Sequence, residues 1–255
     1  MSIIRGQSET DLSAPAMSVP YVSQPSPAAR AYAIGGALAF LASFVAGGWL
    51  YVELGRPPAE APLLPAVLAN AALFGAFAIH HSLLAREPIK AWVARVLSPS
   101  LERPTYVWVA SVLFIGMCLA WRPISGVIYV VPQPWAWISG AVQLTGAALT
   151  LDAARRIDVR VLAGLAPEPP AVSGVEPLVA SGSYRFVRHP IYLGWVLLFW
   201  GTSDMTVGRL VFAAVSTAYL VVAVPFEERS LRRRFGASYN AYVRQVRWRI
   251  VPGIY

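Results

Sequence analysis

The sequence predicts an all-α integral membrane protein, and three observations support this fold class. Hydrophobic residues make up 56% of the chain and charged residues only 13%, whereas a soluble domain carries about 25% charged residues. Uncharged apolar runs of about 20 residues recur, which is the length that a helix needs to cross a bilayer. Most of the basic residues lie between these runs. The chain is therefore expected to lie in a membrane.

About six transmembrane passes are predicted, over residues 31–52, 63–84, 105–121, 135–151, 190–203 and 207–226. The fifth run offers about 14 helical residues, which span roughly 21 Å, less than the roughly 30 Å of a bilayer core. We therefore expect this arm to be short or tilted. Residues 204–206 join it to the sixth run in a tight C-terminal helical hairpin.

The distribution of arginine and lysine predicts the orientation of the chain. If both termini lie on the same side, that side holds 18 basic residues and the other side holds three. Cytoplasmic loops carry the excess of basic residues in membrane proteins. Both termini are therefore expected in the cytoplasm, and the protein is expected in a bacterial inner membrane.

Composition divides the chain into three parts. Residues 1–30 are rich in Ser, Pro and Gln and are expected to form a disordered tail. Residues 31–151 are expected to form a four-helix transmembrane region, and residues 152–255 a cytosolic loop, the helical hairpin and a tail. The tail is predicted to be a cytosolic amphipathic helix, because apolar residues recur at helical spacing at Leu231, Phe235, Tyr239, Tyr242 and Val246.

Charge and cysteine content exclude several classes of function. The net charge is +8, but the basic residues cluster beside apolar runs, which favours membrane lipids and not nucleic acid as partners. The single cysteine, Cys118, excludes a disulfide framework and a cysteine-based metal site and is expected to be a buried thiol. With three histidines in the chain, no metal site is predicted.

Charged and aromatic residues lie at the start of the first arm of the predicted hairpin and after the end of its second arm. Because its arms are antiparallel, we expect these side chains to converge at the cytoplasmic end: Arg188, His189, Tyr192, Glu227, Glu228, Tyr239, Tyr242 and Arg247. Cations suit a carboxylate, acids suit an ammonium group, and aromatic faces suit a flat base or a sulfonium. S-adenosylmethionine combines these groups. Because such charges also flank membrane helices, the residues alone leave open that they only mark membrane boundaries.

Three linked motifs carry a family resemblance. GSYRFVRHPIYLG at 182–194, EERSL at 227–231 and FGASYNAY at 235–242 resemble the C-terminal signature of the isoprenylcysteine carboxyl methyltransferase superfamily of integral membrane methyltransferases. His81-Ser82, Lys90-Ala91-Trp92, Glu102-Arg103, Tyr106 and Met205-Thr206-Val207-Gly208 resemble more narrowly its methanethiol S-methyltransferase and NnrU-like branch. The resemblance covers roughly residues 63–252.

The resemblance implies an S-adenosylmethionine pocket within residues 152–255 that faces the cytosol. Arg188, His189, Tyr192 and Gly194 would line one wall, and Glu227 with Glu228 the other. Tyr239, Tyr242 and Arg247 would close the pocket from the tail, and Gly194 would let the cofactor approach the helix closely. The candidate catalytic residues are His189, Arg188 and His81, with His189 or His81 as the base that deprotonates a thiol acceptor.

The acceptor and two other functions remain open at this point. The methyl group could pass to a small thiol or to a lipophilic acceptor, such as an isoprenylcysteine or a lipid. The segment 156–165 departs from the pattern of the thiol-methylating branch, of which it keeps only Asp158 and Gly164-Leu165. The alternatives are a non-enzymatic, NnrU-like membrane protein of nitrogen-oxide or haem-linked metabolism and an NADPH enzyme similar to sterol reductases.

Overall fold

The computed structural model describes residues 26–58, 60–84, 86, 89, 92–166 and 178–255, which are mostly helical. In chain order the helices are α1 (Pro27–Leu54), α2 (Leu63–Leu84), α3 (Pro99–Ala120), α4 (Ala136–Ala154), α5 (Val159–Leu162), α6 (Pro190–Trp200) and α7 (Val207–Gln245). The strands are β1 (Val127–Val130) and β2 (Asp204–Thr206), and a single 3₁₀ turn covers Gly182–Arg185.

Four of the described helices, α1, α2, α3 and α7, are long and apolar enough to cross a membrane. This confirms an integral membrane protein of the helical class. Helix α4 packs along α6, which has only 11 residues and is therefore about 16 Å long. The short fifth arm was expected, whereas the count of six passes and the orientation of the termini stay predictions.

The helix boundaries differ from the predicted ones where a cap or a proline was overlooked. Helix α1 begins at Pro27 because the Ser26 hydroxyl accepts from the Ala29 N–H and proline suits the first helical turn. It therefore takes in the last residues of the tail predicted to be disordered, and residues 1–25 of that tail lie outside the described residues. Helix α3 also begins earlier than predicted, at Pro99, and carries Pro104 within it.

A short two-stranded antiparallel sheet adds a small β element to the mostly helical fold. Strand β1 pairs with β2 in the register Val127 to Thr206 and Val130 to Asp204. Residues 204–206, expected as the connection within the helical hairpin, therefore also form one strand of this pair. We call the side of the molecule that carries this sheet the sheet end and the opposite side, where α6 begins, the site end.

Helix α7 runs through the point where the sixth span was predicted to stop. It covers 39 residues and departs from helical geometry at Gly236, whose φ of 52° suits glycine. Glu227 and Glu228 therefore lie inside a helix and not after its end. Beyond them, Tyr239, Tyr242 and Val246 form a buried cluster, and Leu231 and Phe235 pack against it.

The apolar core lies between the two ends and joins five helices. It contains Leu50 of α1, Phe74 of α2, Cys118 of α3, Phe199 of α6 and Phe212 of α7. The Phe199 and Phe212 ring centroids are 4.8 Å apart. Cys118 is fully buried, as predicted for a structural thiol.

A buried arginine fastens the sheet end. Arg209 forms an ion pair with Asp204 and donates hydrogen bonds to the Thr202 hydroxyl at 2.9 Å and to the Asp204 carbonyl at 2.7 Å. Its guanidinium lies 4.9 Å from the centre of the Tyr51 ring on α1. One side chain thus ties the start of α7 to β2 and to α1.

Two facing glycines let α4 and α6 approach closely. A Cβ built on Gly194 of α6 would lie 2.5 Å from the Gly146 carbonyl oxygen and 2.2 Å from the Thr150 hydroxyl oxygen, both on α4. A Cβ on Gly146 would lie 2.6 Å from the Gly194 carbonyl oxygen. The side-chain position of each glycine is therefore filled by the other helix.

We expect Gly194→Ala to destabilise the protein by about 1–3 kcal/mol, because the new methyl group overpacks the contact with α4. The measurement is thermal unfolding in detergent. Gly140→Ala on α4 is the matched control, because a Cβ there meets nothing within 4 Å. The control should be neutral or stabilising by about 0.5–1 kcal/mol, since alanine favours a helix over glycine. Equal midpoints for the two variants would contradict the packing assignment.

Candidate active site

Three segments meet at the site end: residues 188–189 before α6, residues 227–228 of α7 and residues 246–249 of the tail. Pro190 occupies the first turn of α6, so the backbone of the two preceding residues is not helical and can pair with another segment. The Arg188 N–H donates to the Trp248 carbonyl at 2.9 Å, and the His189 N–H donates to the Arg249 carbonyl at 2.8 Å. The tail is thereby held against the start of α6.

Arg188 links all three segments through its side chain, which is 6% exposed. Its Nε donates to Glu228 Oε1 at 2.7 Å, and its Nη1 donates to the carbonyls of Val246 and Arg247, both at 2.8 Å. The sequence analysis expected this guanidinium at the cofactor. The structure commits two of its nitrogen atoms to the protein itself, which makes Arg188 a clamp.

His189 lies between two carboxylates. Its Nδ1 is 3.4 Å from Glu227 Oε2 and its Nε2 is 3.6 Å from Glu228 Oε1. Burial alone would lower the pKa of His189, but the neighbouring carboxylates of Glu227 and Glu228 outweigh this effect, so its pKa is raised. A histidine whose two nitrogens both face carboxylates is poorly suited to take a proton from a thiol. The geometry therefore argues against His189 as the base.

The two glutamates have different surroundings. The Glu227 side chain is 44% exposed and accepts a hydrogen bond from the Tyr192 hydroxyl at 2.8 Å. The Tyr192 ring stacks on the His189 ring, with 5.3 Å between the ring centroids. The Glu228 side chain is 1% exposed. Arg232 and Arg249 each lie 3.6 Å from its Oε2. We call these side chains the charged group: Arg188, His189, Glu227, Glu228, Arg232 and Arg249. Glu228 lies at its buried centre and Glu227 at its exposed edge.

Some buried polar atoms of this group have no hydrogen-bond partner among the described residues. They are Glu228 Oε2, His189 Nε2 and the Tyr239 hydroxyl. Buried polar atoms are normally satisfied by protein, water or a ligand. The group holds two carboxylates and an excess of cations, so it fits a ligand that carries both an ammonium and a carboxylate.

The tail residues differ in how they meet the predicted site. Tyr239 is buried beside the charged group, and Tyr242 donates from its hydroxyl to the Tyr184 carbonyl at 2.7 Å. Arg247 is exposed, with its guanidinium 5.0 Å from the centre of the Trp248 ring. Arg249, and not Arg247, approaches Glu228, and a role for the Arg247 side chain at a cofactor stays a prediction.

Gly194 also departs from its predicted place. Its side-chain direction faces Gly146 and Thr150 of α4, so its small size serves helix packing and not the approach of a cofactor.

Sequence reasoning missed three contributors, Arg232, Arg249 and Tyr184. Arg232 had a usable signal, because it lies one helical turn after Glu228. Arg249 had none, since the helix ends at Gln245 and the path of the tail beyond it follows from pairing with residues 188–189.

Asp152 holds the loop of residues 181–184, which leads into the site. Asp152 Oδ2 accepts from the Ser183 N–H at 2.9 Å, and Arg156 donates to the same carboxylate at 2.8 Å and to the Ser181 hydroxyl at 2.9 Å. The loop that carries Tyr184 is therefore fixed to the end of α4.

The third candidate, His81, reaches the site end from α2. Its Nδ1 is 2.9 Å from the Tyr106 hydroxyl on α3, and the Phe77 ring stacks on it at 5.5 Å. Two contacts hold this end of α2 against α7: the Ser82 hydroxyl donates to the Tyr219 hydroxyl at 3.2 Å, and Arg86 lies 4.4 Å from the centre of the Phe226 ring. Phe226 immediately precedes Glu227, so His81 lies on the α2 side of the charged group.

Comparisons with known proteins agree with these features. The model of the phospholipid methyltransferase family matches residues 172–238, which include the start of α6 and Glu227-Glu228. A methanethiol S-methyltransferase of Mycobacterium tuberculosis is 40% identical over 199 residues, covering 73% of this chain and 78% of that protein. Methanethiol S-methyltransferase 2 of Bradyrhizobium diazoefficiens is 36% identical over 231 residues, covering 84% and 86%.

More distant similarity extends to a second group of enzymes. Protein-S-isoprenylcysteine O-methyltransferase A of Arabidopsis thaliana is 36% identical over 72 residues, which cover 27% of this chain and 36% of that protein. No solved structure matches the chain significantly. Identity of this degree over most of the length, together with the apolar helices, leads to one conclusion: the chain belongs to the family of membrane methyltransferases that includes the methanethiol S-methyltransferases.

Proposed function

We propose that the protein transfers a methyl group from S-adenosylmethionine to a small thiol, with methanethiol as the first candidate. The observation that carries the donor is the buried group around Glu228, which combines surplus cations with a carboxylate oxygen that has no hydrogen-bond partner among the described residues. The acceptor rests on the relatives named for methanethiol, which match most of the chain, whereas the isoprenylcysteine enzymes match about a quarter of it.

The residues of the charged group fit the two ends of the donor's amino-acid moiety. Glu228 Oε2 and the half-open Glu227 are acceptors for an ammonium group. Arg249 and Arg232, which neighbour Glu228 without a close hydrogen bond to it, are the cations that a carboxylate would recruit. Tyr192 and Tyr239 offer aromatic faces beside them. Arg188 and His189 hold the carboxylates and the tail in place.

When bound, S-adenosylmethionine would supply a methyl carbon activated by its positively charged sulfur; a thiolate would attack this carbon in line, and S-adenosylhomocysteine would leave with the electron pair of the broken bond. The protein has to align the acceptor and to accept the proton of its thiol, because the thiolate is the nucleophile. We assign the role of proton acceptor to His81, because both ring nitrogens of His189 face carboxylates. The aromatic rings of Phe77, Tyr106 and Tyr219 around His81 and Ser82 favour a small acceptor over a long isoprenoid chain.

The central experiment supplies the purified, detergent-solubilised protein with S-adenosylmethionine and methanethiol and measures dimethyl sulfide by gas chromatography. We expect the wild type to form the product and His81→Ala to lower kcat by about 10²–10⁴-fold, the usual contribution of a general base. Calorimetric binding of S-adenosylmethionine should be the same in both proteins. Product formation only with a farnesylcysteine analogue would overturn the choice of acceptor, and absence of binding would overturn the choice of donor.

Glu228→Gln should weaken the binding of S-adenosylmethionine about 10- to 100-fold, because the amide keeps the shape of the carboxylate but not its charge. The protein should stay folded, since an amide oxygen still accepts from Arg188 Nε. Glu53→Gln is the control, because Glu53 is an exposed partner of Arg56 at the sheet end. Equal affinity of the Glu228 variant and the control would remove Glu228 from the site.

The raised pKa of His189 predicts a pH dependence of stability. The folded protein holds this proton more tightly than the unfolded chain, whose histidine pKa is about 6.5. The stabilisation is therefore fully present below that value and is lost as the pH rises through the folded-state pKa. We expect the difference in thermal midpoint between wild type and His189→Gln to shrink steadily on going from about pH 6 upward. A difference that is independent of pH would show that His189 is not charged in the folded protein.

A further inference from the structure

The residue that holds His81 in place is Tyr106. Its hydroxyl oxygen lies 2.9 Å from His81 Nδ1, across the interface between α2 and α3. The ring of His80 is nearly parallel to that of Tyr106, with 16° between the planes and 6.3 Å between the centroids. On α3 itself, the Arg103 guanidinium lies 5.0 Å from the centre of the Tyr106 ring. Tyr106 is thus fixed on several sides before it meets His81.

The contact with Tyr106 decides which nitrogen of His81 can act as a base. A neutral imidazole carries one proton, on either Nδ1 or Nε2, and the hydrogen bond made by one nitrogen sets the state of the other. The Tyr106 contact engages Nδ1. If Nδ1–H donates to the phenolic oxygen, Nε2 has a free lone pair and can accept a proton.

Ring stacking fixes the orientation of the same imidazole. The Phe77 and His81 rings lie 25° from parallel at 5.5 Å. Phe77 is itself packed edge-on against Phe114 at 5.3 Å and Phe74 at 6.1 Å. The imidazole is therefore held by a hydrogen bond in its plane and by an aromatic ring on its face, so rotation of the ring would break both contacts.

We propose that Tyr106 is a positioning residue for His81: it accepts a hydrogen bond from Nδ1–H and so presents Nε2 as the base for the thiol. This inference rests on the proposed function. In the step, the S–H bond of the acceptor breaks, its proton passes to Nε2, and the electron pair stays on sulfur. The imidazolium that forms keeps its Nδ1–H bond to Tyr106, which stabilises it.

The alternative is that Tyr106 only packs α2 against α3. The two roles differ in the pH dependence of the reaction, because only the first role stabilises the imidazolium. Other groups also influence this titration, and within the described residues they are His80 on α2, Arg103 on α3 and Glu227 on α7. All of them are unchanged in a Tyr106→Phe variant, so a difference from wild type reports on the hydroxyl.

The experiment measures kcat against pH for wild type, Tyr106→Phe and the control Tyr32→Phe. Tyr32 has a comparable hydroxyl contact with α3, at 3.3 Å from the Thr105 hydroxyl oxygen, but not with His81. For Tyr106→Phe we expect kcat to fall about 10- to 100-fold and the rising limb of the profile to move to lower pH, with unchanged affinity for S-adenosylmethionine. The control should match the wild type. An unchanged kcat, or a lower kcat without movement of the limb, would overturn the proposal.

A second measurement does not depend on turnover. The chain has three histidines, so ¹⁵N-labelled histidine gives few ring signals, which His81→Ala and His80→Ala assign. The proposal requires the Nδ1–H form of neutral His81 in wild type and a mixture of both forms in Tyr106→Phe. An Nε2–H form in wild type would overturn it. If no thiol is methylated but the Nδ1–H form is found, the proposed acceptor fails and the positioning of His81 stands.

Discussion

The buried ion pair between Arg188 and Glu228 is the interaction on which the site end depends. Both side chains are almost fully removed from solvent, and removing one partner of such a pair typically costs about 3–5 kcal/mol because the other charge is left buried. The pair is tolerable because Arg188 also donates to two main-chain carbonyls and Arg249 and Arg232 approach the far carboxylate oxygen. Three chain segments are joined by this network, and the candidate binding residues are attached to them.

The molecule uses buried charge at each end and apolar packing between. At the sheet end Arg209 contacts Asp204, Thr202 and the Tyr51 ring, while its buried Nε has no hydrogen-bond partner among the described residues. At the site end the charges are only partly matched, and Glu228 Oε2 lacks a hydrogen-bond partner among the described residues. The site end differs from the sheet end because it gathers two carboxylates, a histidine and several arginines, with Glu227 partly exposed, and this concentration of charged groups gives it the character of a binding site.

The local sequence was sufficient to predict contacts that depend only on the two arms of the hairpin. An antiparallel hairpin brings residues 188–192 beside residues 227–228 whatever the rest of the chain does, and their convergence was predicted. The local sequence was insufficient to predict contacts that a residue makes with a segment far away in the chain. The role of Gly194 depends on α4, the contact of Arg249 depends on the tail turning back to residue 189, and β1 needs β2 more than 70 residues away. The choice between His189 and His81 needed the positions of both carboxylates.

Arg188 and His189 bind the tail through the main-chain carbonyls of the tail. Nη1 of Arg188 meets carbonyl oxygens of residues 246 and 247, and the backbone N–H groups of residues 188 and 189 meet carbonyls of residues 248 and 249. Every residue type supplies a carbonyl, so these contacts place no demand on the identity of the tail side chains. Substitution of exposed positions such as Arg247 can therefore leave all four acceptors, and with them the path of the tail, in place.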